Sequence, residues 1–242
     1  MHREYHKWYS EHLNKEMELL IFGSSGKPVL LFPTRCARFF DYENWQVLDG
    51  IKDKIDQGLL QIYCVDSVDK ESFYNPGIPG EERLKRHLQY ENYIIREVLP
   101  LIRLKNQDPF LISAGCSMGA YHAVNTAFKH PHLFSKVLGM SGRYDLTYAP
   151  GHFNDLLDTH WSEDVYFNMP SQYLSNLDDL TVIEQIQRME IILVLGKDDL
   201  FLGNNLLLSK LLQDRNIQHQ LYLWEDEAHK PWYWKLMLRE YL

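Results

Sequence analysis

The apolar positions of this chain fall into short unbroken runs separated by longer amphipathic stretches. Six runs predict strands: Pro28-Val29-Leu30-Leu31-Phe32-Pro33, Leu59–Val65, Phe110–Ala114, Lys136–Met140, Ile191–Leu195 and Gln220–Trp224. A continuous apolar run of this length suits a strand buried on both faces, because neither side of the pleat meets water. Ahead of them, Glu4–Ser10 and Glu16–Phe22 can pair about a Leu13-Asn14 turn, and Gly23-Ser24-Ser25-Gly26 forms a second turn. The stretches between the runs predict helices over Tyr42–Gln57, Glu81–Leu104, Met118–Lys129, Asn204–Leu212 and Pro231–Leu242. Within Glu81–Leu104 the positions Leu84, Leu88, Ile95, Val98 and Ile102 keep to one helical face. Pro100 should kink that helix or end it early.

Buried strands alternating with helices imply a mostly parallel, twisted sheet with helices on both faces, and the β-rich start implies an antiparallel edge at the N-terminus. One α/β domain over residues 1–242 is expected. The rhythm breaks between Leu146 and Arg188, so residues 146–188 are expected to form a small cap or an irregular insertion.

Composition narrows the field. With 45% hydrophobic and 24% charged residues the chain has an ordinary globular mix, which excludes disorder. A net charge of −8 without a Lys/Arg block argues against nucleic acid or an anionic membrane as partner. Three cysteines without framework spacing fit reduced thiols and a cytoplasmic location. The stretch Met1–Trp8 shows no secretory signal, and no run approaches the length of a membrane span. HExxH, zinc-ligand spacing, GxGxxG and a P-loop are all missing from the sequence, so no metal and no cofactor are expected.

The segment carrying chemistry is Leu111-Ile112-Ser113-Ala114-Gly115-Cys116-Ser117-Met118-Gly119-Ala120, a G-x-S-x-G between a buried strand and a helix. A sharp strand-to-helix turn needs residues without bulk on either side of its central serine, and it lifts the hydroxyl to a helix N-terminus. Cys116 should face inward as a packed small residue. A serine hydroxyl needs a base, and the base an orienting acid. In this architecture the chain order is Ser, then Asp or Glu, then His. Gly196-Lys197-Asp198-Asp199 follows the fifth run, and Glu225-Asp226-Glu227-Ala228-His229 follows the sixth. Asp198 and Asp145, the latter in Ser141-Gly142-Arg143-Tyr144-Asp145, remain alternative acids at this level. His130 and His132 flank Pro131 and suit a helix end.

On these residues the chain resembles the α/β-hydrolase superfamily, within it the esterase branch that holds S-formylglutathione hydrolases (esterase D), feruloyl esterase modules and mycolyltransferases. The elbow Gly115-Cys116-Ser117-Met118-Gly119, Ser72-Phe73-Tyr74, Gly196-Lys197-Asp198-Asp199 and Ala228-His229-Lys230-Pro231-Trp232-Tyr233-Trp234 carry the resemblance. It implies an α/β-hydrolase fold over nearly the whole chain, and it selects Asp199, three residues after the glycine, as the acid. The expected catalytic residues are then Ser117, Asp199 and His229. Met118 should supply one oxyanion-hole N–H. The second must come from Thr34, Arg35 or Cys36, because Pro33 has none, and Arg35 is favoured. The Arg35 side chain can equally meet an anionic substrate group or bulk water. Phe39, Tyr74 and Trp232 are the expected substrate-binding aromatics, with Phe40, Tyr42, Trp45, Phe73, Tyr233 and Trp234 either beside them or in the core.

The expected function is hydrolysis of a small-molecule carboxylic ester through an acyl-enzyme. Acyl transfer to an alcohol and a non-catalytic binding role on the same scaffold are the alternatives.

Overall fold

Eight strands form one sheet in the computed structural model, which describes residues Met1–Leu242. They are β1 (Arg3–Ser10), β2 (Lys15–Phe22), β3 (Lys27–Phe32), β4 (Leu60–Val65), β5 (Ile112–Cys116), β6 (Lys136–Met140), β7 (Glu190–Gly196) and β8 (Gln220–Trp224). Their order across the sheet is β1-β2-β4-β3-β5-β6-β7-β8. β1 and β2 are antiparallel around Asn14, which takes φ of +52°, and β2 meets β4 antiparallel. From β4 to β8 all pairings are parallel. The expected antiparallel edge on a mostly parallel sheet is thus present.

Alternation along the strands explains the two faces. Leu19, Leu30 and Leu193 join one apolar cluster, whereas their neighbours Leu20, Leu31 and Val194 join the other. Both sets are buried, so the central strands read as unbroken apolar runs. Helices Gly80–Tyr93, Met118–Lys129 and Leu202–Asp214 cover the first face. Pro231–Tyr241 and the short helices Asp41–Asn44 and Lys52–Asp56 cover the second.

Four expectations change. The helix expected over Tyr42–Gln57 breaks into Asp41–Asn44, a 3-10 turn Leu48–Ile51 and Lys52–Asp56, with Gln46 at φ +57° between the pieces. Val47, Leu48 and Ile51 are buried in the broken segment. Pro100 does not end its helix. A π-turn over Ile94–Val98 precedes Leu99–Lys105, placing Pro100 in the first turn of that last segment, where its missing N–H costs little. β5 starts later than expected, at Ile112. β8 is not buried: it closes the sheet as an edge strand with Tyr222 and Leu223 exposed. No helix is long and apolar enough to cross a membrane.

Residues 146–188 hold only short helices, Glu163–Tyr166, Pro170–Tyr173 and Leu180–Gln187, in otherwise irregular chain. Leu146, Leu156, Leu157, Val165 and Met169 pack there against Phe73, Met118 and Tyr121. The segment therefore closes over the start of the helix that follows β5. The chain runs from β3 outward to β4, then crosses back over β3 to β5. This reversal opens a crevice at the carboxyl ends of β3 and β5, the position where open α/β sheets bind ligands.

Candidate active site

The chain turns from β5 into the helix Met118–Lys129 at Ser117, with φ +55° and ψ −116°. Few non-glycine residues take this conformation, which costs on the order of 1–3 kcal/mol and persists only where its surroundings hold it. Three contacts do so. Ser117 N–H donates to the Met140 carbonyl at 2.8 Å. Cys116 N–H donates to the Tyr42 hydroxyl at 3.2 Å, and that hydroxyl donates to the Phe32 carbonyl at 2.9 Å. The two glycines are needed for space: a Cβ on Gly115 would overlap the Gly119 carbonyl, and one on Gly119 would overlap the Phe32 and Pro33 carbonyls. The same close approach brings the loop after β3 against the helix N-terminus.

The acid and base meet past the next strands. His229 Nδ1 and Asp199 Oδ2 are 2.9 Å apart. A carboxylate only accepts, so Nδ1 carries the proton and the neutral ring keeps Nε2 free to accept one. Asp199 is buried, and its Oδ1 accepts the Phe201 N–H at 2.8 Å. Asp198 is exposed, and Asp145 spends Oδ1 on Thr147 and Tyr148. The partner of His229 is therefore Asp199.

His229 follows β8, three strands from β5, yet its loop folds back over the sheet. The Ala228 carbonyl accepts from Ser141 Oγ at 3.2 Å, and Ser141 stands one residue past β6, beside Ser117. The structure holds no hydrogen bond between Ser117 Oγ and His229. Trp234 packs edge-on against the His229 ring at 5.6 Å, and its indole N–H points at Ser141 Oγ at 3.4 Å.

Met118 opens its helix, so its N–H has no preceding helical carbonyl. Among the candidate second donors, Cys36 N–H is taken: it donates to Asp69 Oδ2 at 3.0 Å. Arg35 and Thr34 remain. The other oxygen of Asp69 accepts from His122 Nε2 at 3.0 Å, in a pair that is almost fully buried. Asp69 thus ties the loop after β3 to the helix that starts at Met118. Asp69, Tyr42 as a clamp and Arg143 are not legible as site residues in the sequence, whereas Trp234 is among the aromatics it offers. Asp69 carries no motif, and Arg143 entered only as a neighbour of Asp145.

Of Phe39, Tyr74 and Trp232 only Tyr74 borders the site, its hydroxyl 3.9 Å from Met118 Sδ. Burial pushes the Tyr74 phenol up to about 12, so it stays a donor at neutral pH. Phe39 is core, packed on Phe40 and Tyr5, because the loop after β3 turns it under the sheet edge. Trp232 is exposed on the outer side of the first turn of its helix, where Trp234 takes the inner side. Burial raises the Cys116 thiol far above its ordinary range, and that of Cys36 to about 11, leaving neither a nucleophile.

His87 stacks on His122 at 5.4 Å beneath this network. Burial pushes it down to about 3, with His122 and Lys129 acting the same way and Glu91 opposing. A folded-state value below the unfolded one means that the unfolded chain binds the extra proton first. This contribution is therefore complete above about pH 6.5 and is lost on acidification towards pH 3. Urea unfolding at pH 7 and pH 5 is expected to show a loss of about 1.4 kcal/mol per pH unit from this group, removed in His87→Gln.

Residues 42–233 match the Esterase family, described as "Putative esterase". No match was found among curated proteins. Many solved structures share the fold. A ferulic acid esterase aligns at 18% identity and TM-score 0.77, over 100% of this chain and 96% of that one. The S-formylglutathione hydrolase of Agrobacterium tumefaciens aligns at 17% identity and TM-score 0.72, over 98% and 92%. The fluorophosphonate-binding serine hydrolase F of Staphylococcus aureus aligns at 17% and 0.69, over 99% and 96%. With a family match over well above half its length, the chain belongs to the Esterase family and has the α/β-hydrolase fold.

Proposed function

We propose that residues 1–242 act as one hydrolase domain in which Ser117, Asp199 and His229 form a catalytic triad cleaving carboxylic esters. The observation that carries this reading is the 2.9 Å Asp199–His229 pair, folded back to Ser141 beside the strained Ser117. His229 Nε2 takes the Ser117 proton as Oγ attacks the acyl carbon, and Asp199 holds the imidazole orientation and stabilises the imidazolium. The N–H groups of Met118 and Arg35 receive the developing oxyanion at the helix N-terminus, where fixed dipoles need no reorganisation. His229 returns its proton to the leaving alcohol. The same ring then activates water, which releases the acid and restores Ser117. No metal or cofactor enters this scheme. Three free cysteines, two of them buried, suit a reducing, cytoplasm-like compartment.

Labelling with a fluorophosphonate tests the reading. The expected result is a single adduct mapped by mass spectrometry to Ser117, lost in His229→Gln. Labelling at another serine would overturn the assignment.

A further inference from the structure

The crevice beside Met118 contains two cations without an anionic partner. A cleft of about 270 Å³ is lined by Arg35, Tyr74, Arg143 and Phe153, among others. The buried Phe201 ring packs between the cleft wall and the triad, 4.8 Å from the Phe153 ring and 6.1 Å from that of His229. Arg143 is only 2% exposed, yet it forms no salt bridge. Its Nε donates to the Asp145 carbonyl, and its Nη2 to the carbonyls of Leu146, Tyr148 and Asn154. Nη1 has no partner at all. Buried guanidinium groups rarely stand unpaired, because the desolvation cost is repaid only by a counter-charge or full hydrogen bonding.

The neighbouring acids do not fill the gap. Asp145 is committed to Thr147 and Tyr148, Asp155 to the N–H groups of Leu157 and Thr159, and Asp158 to Arg83. Arg35 is exposed at the mouth and also lacks a carboxylate partner. The Phe153 ring lies between the two cations, 5.6 Å from the Arg35 Cζ and 6.0 Å from that of Arg143. Phe153 is half-buried and, like Arg143, lines the cleft.

We propose that this cleft is a subsite for a carboxylate borne by the ester substrate, held between the guanidiniums of Arg35 and Arg143 with the Tyr74 hydroxyl as a third donor. The planar guanidinium fork matches a carboxylate, and a single charge suits a site whose walls also hold Asp155 and Asp158. This rests on the serine-esterase reading of Ser117. The esters favoured are then half-esters of dicarboxylic acids or esters of hydroxy acids, depending on which side of the scissile bond enters the cleft.

Two matched pairs test it. 4-Nitrophenyl butyrate against 4-nitrophenyl hydrogen succinate places the carboxylate on the acyl side. Phenyl acetate against 4-acetoxybenzoate places it on the alcohol side. In one of the pairs the wild-type kcat/KM is expected to favour the anionic ester by about 10- to 100-fold. Arg35→Gln should cut that preference several-fold, and Arg143→Met should erase it. Because each variant is scored by the ratio within a pair, differences in leaving group cancel. Arg143→Met also removes four carbonyl contacts, so Arg35→Gln alone is decisive if the former does not fold. No anionic preference in either pair, or a full preference retained in Arg35→Gln, would overturn the subsite. Hydrolysis of the neutral esters, and its dependence on Ser117, reports separately on the triad.

Discussion

Ser117→Ala is expected to lower kcat/KM for 4-nitrophenyl acetate by on the order of 10⁴- to 10⁶-fold while leaving the fold intact. The magnitude follows from removing the nucleophile of a unit whose members act together, so that little beyond binding and oxyanion stabilisation remains. The fold should survive because alanine keeps the Cβ, and the contacts that hold the elbow come from elsewhere. These are Ser117 N–H to Met140, Cys116 N–H to Tyr42, and the bare Cα atoms of Gly115 and Gly119. Circular dichroism and a melting curve check the fold, and progress curves check turnover. A pure, folded variant with turnover close to wild type would remove Ser117 from the chemistry and return the protein to a different nucleophile.

Asp199→Asn is expected to reduce kcat by about 10⁴-fold, through the tautomer rather than through lost burial. The reason lies in the second contact of this side chain. Asp199 Oδ1 accepts the Phe201 N–H at 2.8 Å, and Oδ2 faces His229 Nδ1 at 2.9 Å. An asparagine must keep its oxygen on the Phe201 N–H, which turns its NH₂ toward His229. Two donors cannot face each other, so the ring moves its proton to Nε2 and can no longer accept from Ser117. Asp198→Asn, on an exposed side chain, should stay within about twofold of wild type, as surface substitutions away from such contacts do. Steady-state kinetics on the two variants separate the cases. A large loss in Asp198→Asn with little in Asp199→Asn would shift the acid by one residue. No loss in either would point to Asp145.

The parts of the fold legible in the sequence share one property: each is set by neighbours a few residues away. Unbroken apolar runs place β3, β4, β6 and β7 to within a residue or so, because strands buried on both faces need apolar side chains at every position. Where the run lies at an edge the inference fails: Tyr222 and Leu223 of β8 are large and hydrophobic and still exposed, since position in the sheet, not local pattern, decides cover. Pro100 does not end its helix, for a related reason. Its cost depends on which carbonyl would have received the missing N–H, and the π-turn before it changes that pairing.

The site divides along the same line. Ser117 and His229 could be named because strand ends and chain order suffice to place them at one edge of a parallel sheet, whereas Asp199 was separated from Asp198 only by the family resemblance. Nothing local says that the β8 loop folds back to Ser141, or that Asp69 takes up the Cys36 N–H; both contacts join segments far apart in the chain. The aromatic walls show the limit most plainly. Phe39, Tyr74 and Trp232 are equally apolar as letters, yet one lies in the core, one borders the cleft and one faces water. Local pattern thus determined the elements, their order and the chemistry at the strand ends. The tertiary structure alone decided which side chains share a cavity and which buried cation stands without a partner, because burial and charge pairing depend on what the whole chain places around a residue.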